Sequence, residues 1–102
     1  MVTKEEAKKY LSDVPTPQCF WVNNGTILKN LDELASELQE MNEDTYGHHA
    51  NQEKNDFSKW VNEVICDKKL ANELLSSRNR DSALKKVRNR LNSLKNKAGN
   101  MM

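Results

Sequence analysis

Glycine and proline are both scarce in this chain of 102 residues, with three of one and two of the other. Gly25, Gly47 and Gly99 stand too far apart to build a loop whose amides cradle a phosphate, so the common nucleotide-binding motifs are excluded. Cysteine is restricted to Cys19 and Cys66, without a C-x-x-C pair, which removes a disulfide framework and a zinc ribbon together. The stretch after Met1 has no apolar run of the signal-peptide kind, and with two isolated thiols this points to a reduced, cytosolic (cytoplasmic) protein. No segment approaches the roughly 20 consecutive apolar residues of a membrane span, and no membrane partner is expected.

Charge is plentiful. Charged residues make up 30% of the chain and hydrophobic ones 36%, yet the apolar residues recur at regular spacing and are not diluted as in disordered segments. A chain of this length hides roughly 60 to 70 per cent of its unfolded surface on folding, so neither a metal nor a disulfide is required for stability, and no cofactor is expected. The net charge of +1 conceals a division. Residues 1–77 carry 8 Lys and Arg against 14 Asp and Glu, a net of −6, whereas residues 78–102 carry 8 against 1, a net of +7. A basic end on an acidic body either meets an acidic partner such as nucleic acid or docks on the body itself; composition alone does not separate the two.

The most regular stretch is Asn55 to Ile65. Phe57, Trp60, Val61, Val64 and Ile65 fall at i, i+3, i+4, i+7 and i+8, one stripe of an α-helix, with Asn55 as its cap. This helix is expected to be the core's spine and to stop near Cys66, where Lys68 and Lys69 interrupt the stripe. Thr3 and Glu6 read as a capping box that opens a first helix over 1–14, ended by Pro15 and Pro17. Asn24-Gly25 between two apolar runs predicts a two-residue hairpin near residues 19–28, with Val22 facing Ile27 and Trp21 facing Leu28. Asn30 and Glu33 begin a helix carrying Leu31, Leu34, Ala35, Leu38 and Met41 on one face. A short helical turn over Glu43 to His49 brings Tyr46 to the core. Asp67 caps a helix with Leu70, Ala71, Leu74 and Leu75 inward. The last helix, over 80–97, has Leu84, Val87, Leu91 and Leu94 flanked by cations. The expectation is a mostly α, single domain over 1–98, of about five helices with one short hairpin, followed by a frayed tail at 99–102.

The pattern Phe20-Trp21-Val22, Gly25, Leu31-x-x-Leu34, Tyr46-x-x-His49 and Asn55-Asp56-Phe57-x-x-Trp60-Val61, ending at Leu70-Ala71, resembles a family of small archaeal and bacterial domains of unknown function. The resemblance covers residues 19–75, roughly half the chain. It implies a mostly helical cytosolic domain and brings no established activity with it.

Chemistry-bearing residues are few. His48 and His49, with Asp44, Glu53, Asp56 or Cys66, are the only material for a zinc or iron site, and no H-E-x-x-H pattern is present. Cys66 adjoins the apolar stripe, where a thiol behaves as a small inert hydrophobe. No catalytic, cofactor-binding or metal residues are therefore expected. Arg78, Arg80, Lys85, Lys86, Arg88, Arg90, Lys95 and Lys97 are the candidate contacts to a DNA or RNA phosphate backbone, binding without sequence preference. The stripe Leu84, Val87, Leu91 and Leu94 is the candidate dimer seam or partner face. The first reading is a non-enzymatic interaction module that binds a protein partner or itself; the alternative is a nucleoid- or ribosome-associated nucleic-acid binder.

Overall fold

A computed structural model describes residues 2–99, and each of its six helices begins at a side chain that accepts from an amide of the first turn. Helix α1 (Lys4–Leu11) has a full capping box: the Glu6 amide donates to Thr3 Oγ1 at 3.1 Å and the Thr3 amide to the Glu6 carboxylate at 2.9 Å. Four helices start at asparagine: α2 (Leu31–Glu40) at Asn30, α3 (Glu43–His49) at Asn42, α4 (Asp56–Trp60) at Asn55 and α6 (Arg80–Ala98) at Asn79. Helix α5 (Lys68–Leu75) starts at Asp67. Gly99 closes α6 in the left-handed conformation, φ 83°; the rest of the tail expected at 99–102 lies outside the described residues.

Helix α1 is shorter than the 1–14 that its apolar spacing predicts. Ser12 is already extended, and the Val14 amide leaves the helical pattern to donate to the Lys29 carbonyl at 2.8 Å. The two prolines then lie around a tight turn at Thr16–Gln18.

Strands β1 (Phe20–Trp21) and β2 (Ile27–Leu28) form the antiparallel hairpin, with Phe20 opposite Leu28 and Trp21 opposite Ile27. This is one residue out of the register that a two-residue turn predicts. The loop holds three residues, Asn23, Asn24 and Gly25: the Val22 amide donates to the Thr26 carbonyl at 2.8 Å and the Gly25 amide to the Val22 carbonyl at 2.9 Å. Gly25 supplies the positive φ, 97°, that such a loop needs at its last position. Phe20, Val22 and Leu28 are all buried, and only the longer loop sets Leu28 beside Phe20 on the inner face.

Helix α6, and not the central stretch, is the element on which most of the fold leans. It packs against α1, α2 and α5 and buries Ala83, Val87, Leu91, Leu94 and Ala98. Helix α4 organises the aromatic half of the core. Phe57 stacks on Phe20 at 5.1 Å and on Tyr46 at 5.6 Å between ring centroids. Trp60 meets Phe20 edge-on at 5.8 Å, and its indole N–H donates to the Gln18 carbonyl at 2.8 Å, tying the hairpin's entry to α4.

Phe57, Trp60, Val61 and Ile65 are buried as their spacing predicts, but Val64 is half-exposed. The cause is a π turn over Val61–Ile65 in place of continued α-helix. Its carbonyl at Val61 accepts from both Cys66, at 2.7 Å, and Asp67, at 3.2 Å. The wider turn carries Val64 off the stripe while Ile65 stays inside. Cys66 ends it at φ 74°, the one non-glycine residue with positive φ among the described residues, at a backbone cost of about 1 to 2 kcal/mol.

Candidate functional site

Half of the eight cations proposed for a phosphate backbone are committed within the chain. Arg80 donates from Nη1 to the carbonyls of Leu38, at 2.7 Å, and Gln39, at 2.8 Å, satisfying the open end of α2. Its guanidinium also meets Asp81 at 2.9 Å and Glu43 at 3.7 Å. Arg88 bonds the Gln39 side chain, and Lys95 pairs with Asp32 at 2.9 Å. Arg90 is the largest departure from expectation, because it lies inside, 8% exposed, against an Asp67 that is 1% exposed. Two parallel bonds join them, Nε to Oδ2 at 2.7 Å and Nη2 to Oδ1 at 2.8 Å, while Oδ1 also caps α5 through the Leu70 amide. The basic helix thus turns much of its charge onto the acidic body. Arg78, Lys85, Lys86 and Lys97 make no ion pair among the described residues.

The leucine stripe is likewise spent. Val87, Leu91 and Leu94 are buried in the chain's own core and Leu84 is half-buried, so the stripe is not available as a dimer seam.

His49 is a core residue, packed on Phe20 at 5.1 Å and Phe57 at 5.5 Å. The Asn23 amide donates to Nε2 at 3.0 Å, so Nε2 carries the lone pair and Nδ1 the proton, which goes to the Asp56 carboxylate at 3.0 Å. Both ring nitrogens are therefore occupied in joining the hairpin loop to the first turn of α4. Burial pushes the Asp56 carboxyl up, but hydrogen bonds from His49 and from Lys54 Nζ, at 3.0 Å, outweigh it and hold the group below its ordinary range. His48 is exposed beside it. Among the described residues no three His, Cys, Asp or Glu side chains converge. The Cys66 thiol faces the carbonyls of Glu63 and Val64, at 3.8 and 3.7 Å, with no imidazole within hydrogen-bonding reach.

Among the described residues two exposures of large apolar side chains remain once these groups are accounted for. Trp21 is 64% exposed and Ile27 44%, and the hairpin register sets them side by side on its outer face. A two-residue turn pairs Trp21 with Leu28; the three-residue loop pairs it with Ile27 instead, opposite the face that buries Phe20, Val22 and Leu28. Leu75, expected on the inner face of α5, is 63% exposed. It borders a cleft of about 490 Å³ between the 50–55 loop and the end of α5, lined also by Tyr46, Lys54, Asn55 and Arg78. No helix of the described residues is long and apolar enough to cross a membrane.

Comparison of the chain with protein-family models, with curated proteins and with solved structures finds no match in any of the three.

Proposed function

We propose that this chain is a non-enzymatic interaction domain that docks a protein partner on the outer face of its hairpin. The observation that carries the reading is the exposed Trp21, set beside Ile27 on a hairpin whose other face is buried. Tryptophan is the residue type that contributes most per side chain when an interface excludes water. Covering this pair would stabilise a complex by about 3 kcal/mol before the cost of association. Carboxylates outnumber cations around the hairpin: Glu37 accepts from Asn24 Nδ2 at 2.9 Å, Glu33 from the Lys29 amide at 2.8 Å, and Asp13 from Asn30 Nδ2 at 2.7 Å, with the Lys29 ammonium 4.0 Å from Asp13. The complementary partner is a segment with an apolar side chain between basic residues. The commitment of both His49 nitrogens and of the Arg90 guanidinium supports a binding role over a chemical one.

The test is affinity capture with the wild-type chain and with Trp21→Ser, read beside light scattering and circular dichroism. A protein retained by the wild type and lost by a folded Trp21→Ser variant supports the reading. Retention indifferent to Trp21, or no retained protein, overturns it. The nucleic-acid alternative rests on Arg78, Lys85, Lys86 and Lys97. Salt-dependent duplex binding abolished by Lys85→Glu with Lys86→Glu, and unaffected by Trp21→Ser, would move the function to α6.

A further inference from the structure

The cleft beside Leu75 has a feature that the core does not require. Tyr46 is 5% exposed, its ring stacked on Phe57, yet its hydroxyl makes no hydrogen bond among the described residues. No buried side-chain nitrogen or oxygen among those residues lacks a partner, so the phenolic oxygen is not sealed from solvent, and Tyr46 is one of the residues that line the cleft. Burial and the nearby Glu43 push the Tyr46 hydroxyl up from its ordinary pKa, which keeps it a neutral donor. A phenylalanine would serve the aromatic stack equally well; the hydroxyl is an unmatched polar group at the wall of a cleft.

The surroundings define what it would meet. Arg78 lines the cleft and forms no ion pair, and Lys54 brings a second cation whose ammonium also touches Asp56. Asp56 already holds the Lys54 ammonium at 3.0 Å and Glu53 also lines the cleft, so Arg78 is the lining cation left without an ion pair among the described residues. Leu75 supplies the exposed apolar surface. The walls are fixed in place: Asn51 Oδ1 accepts from the Glu53 amide at 2.9 Å and the Lys54 amide at 3.3 Å, and Asn55 Nδ2 donates to the Leu74 carbonyl at 3.0 Å, pinning the loop to α5.

We propose that this cleft is a second binding site, for an acidic peptide segment of another protein. A carboxylate of that segment accepts from Arg78 and from the Tyr46 hydroxyl, and a neighbouring aliphatic side chain covers Leu75. The carboxylate matches the two donors in charge and in hydrogen-bonding sense, and the aliphatic group removes the apolar surface that Leu75 leaves in water. The site is built from elements other than the strands and stands apart from the hairpin reading.

The experiment titrates the full chain with a blocked hexapeptide of alternating Glu and Leu, and with its Gln and Leu counterpart, following backbone amide resonances. The expected result is saturable shifts confined to residues 46–55 and 75–78 with the Glu peptide, and affinity at least tenfold weaker for the Gln peptide. Tyr46→Phe, which keeps the ring, should weaken binding about tenfold, Arg78→Gln at least as much, and Trp21→Ser not at all. Absence of saturable shifts, equal binding of the two peptides, or wild-type affinity in both Tyr46→Phe and Arg78→Gln would overturn the proposal.

Discussion

Replacing Arg90 by methionine removes one member of an ion pair sealed inside the protein. The Asp67 carboxylate, 1% exposed, would keep only the Leu70 amide at 3.3 Å and lose two charge-assisted bonds of 2.7 and 2.8 Å. Breaking a buried pair from one side costs about 3 to 5 kcal/mol, chiefly because the surviving charge is left in a poor solvent. With a urea dependence of about 1.3 kcal/mol per molar for a domain of this size, the unfolding midpoint should fall by about 3 M. Asp67→Asn retains an acceptor for the α5 cap and strands the guanidinium instead, for about 2 to 3 kcal/mol. The informative variant is the double one, Asp67→Asn with Arg90→Met, which buries neither charge and keeps the cap. It should lie within about 2 kcal/mol of the wild type, far above the sum of the single losses. Urea denaturation followed by circular dichroism reads all four proteins. Additive losses, or an Arg90→Met variant within about 1 kcal/mol of wild type, would show that the pair is not the buried tie described here.

Cys66→Gly relieves the left-handed backbone at φ 74° and should raise stability by about 0.5 to 1 kcal/mol after the added freedom of the unfolded chain is subtracted; a lower melting temperature would refute the strain. His49→Phe keeps a ring between Phe20 and Phe57 but leaves the Asn23 amide without its acceptor, for about 1 to 3 kcal/mol of lost stability, and an unchanged urea midpoint would contradict that role. Asp56 sits below its ordinary value of 3.8, so its contribution is complete above that pH and drains as the pH falls beneath it. Asp56→Asn should flatten the acid limb of stability against pH there; an unaltered slope would count against the His49 and Lys54 bonds.

The helical part of the fold was largely legible because it is written in two local signals. Thr3, Asn30, Asn55 and Asp67 were readable as caps before apolar faces, and all four accept from the expected amide. The face of Leu31, Leu34, Ala35, Leu38 and Met41 is buried as its period requires. Glu33 shows the limit of the local rule, since its carboxylate reaches the Lys29 amide and not that of its own cap. What stayed hidden depends on distant partners. The π turn at Val61–Ile65 has no marker in the sequence; Asp67, two residues beyond it, both caps α5 and meets Arg90, 23 positions away. Hairpin register was decided by the demand that Phe20, Val22 and Leu28 share one buried face, which outweighed the two-residue preference of Asn24-Gly25. Whether the charge of α6 faces outward or docks on the acidic body was left open by the sequence for the same reason. A count of cations does not show that Arg80 closes the end of α2, or that Lys95 finds Asp32.

One indole, Trp60, lies inside the protein and binds the hairpin's entry to α4; the other, Trp21, lies outside, on the face proposed for docking. Acrylamide quenching of tryptophan fluorescence in the wild type and in Trp21→Phe measures this directly. Trp21→Phe should abolish the readily quenched, red-shifted component and leave a blue-shifted emission, from Trp60, that acrylamide barely reaches. If the remaining emission is quenched as freely as an indole in water, Trp60 is not shut inside, and the arrangement that leaves Trp21 as the docking residue is wrong.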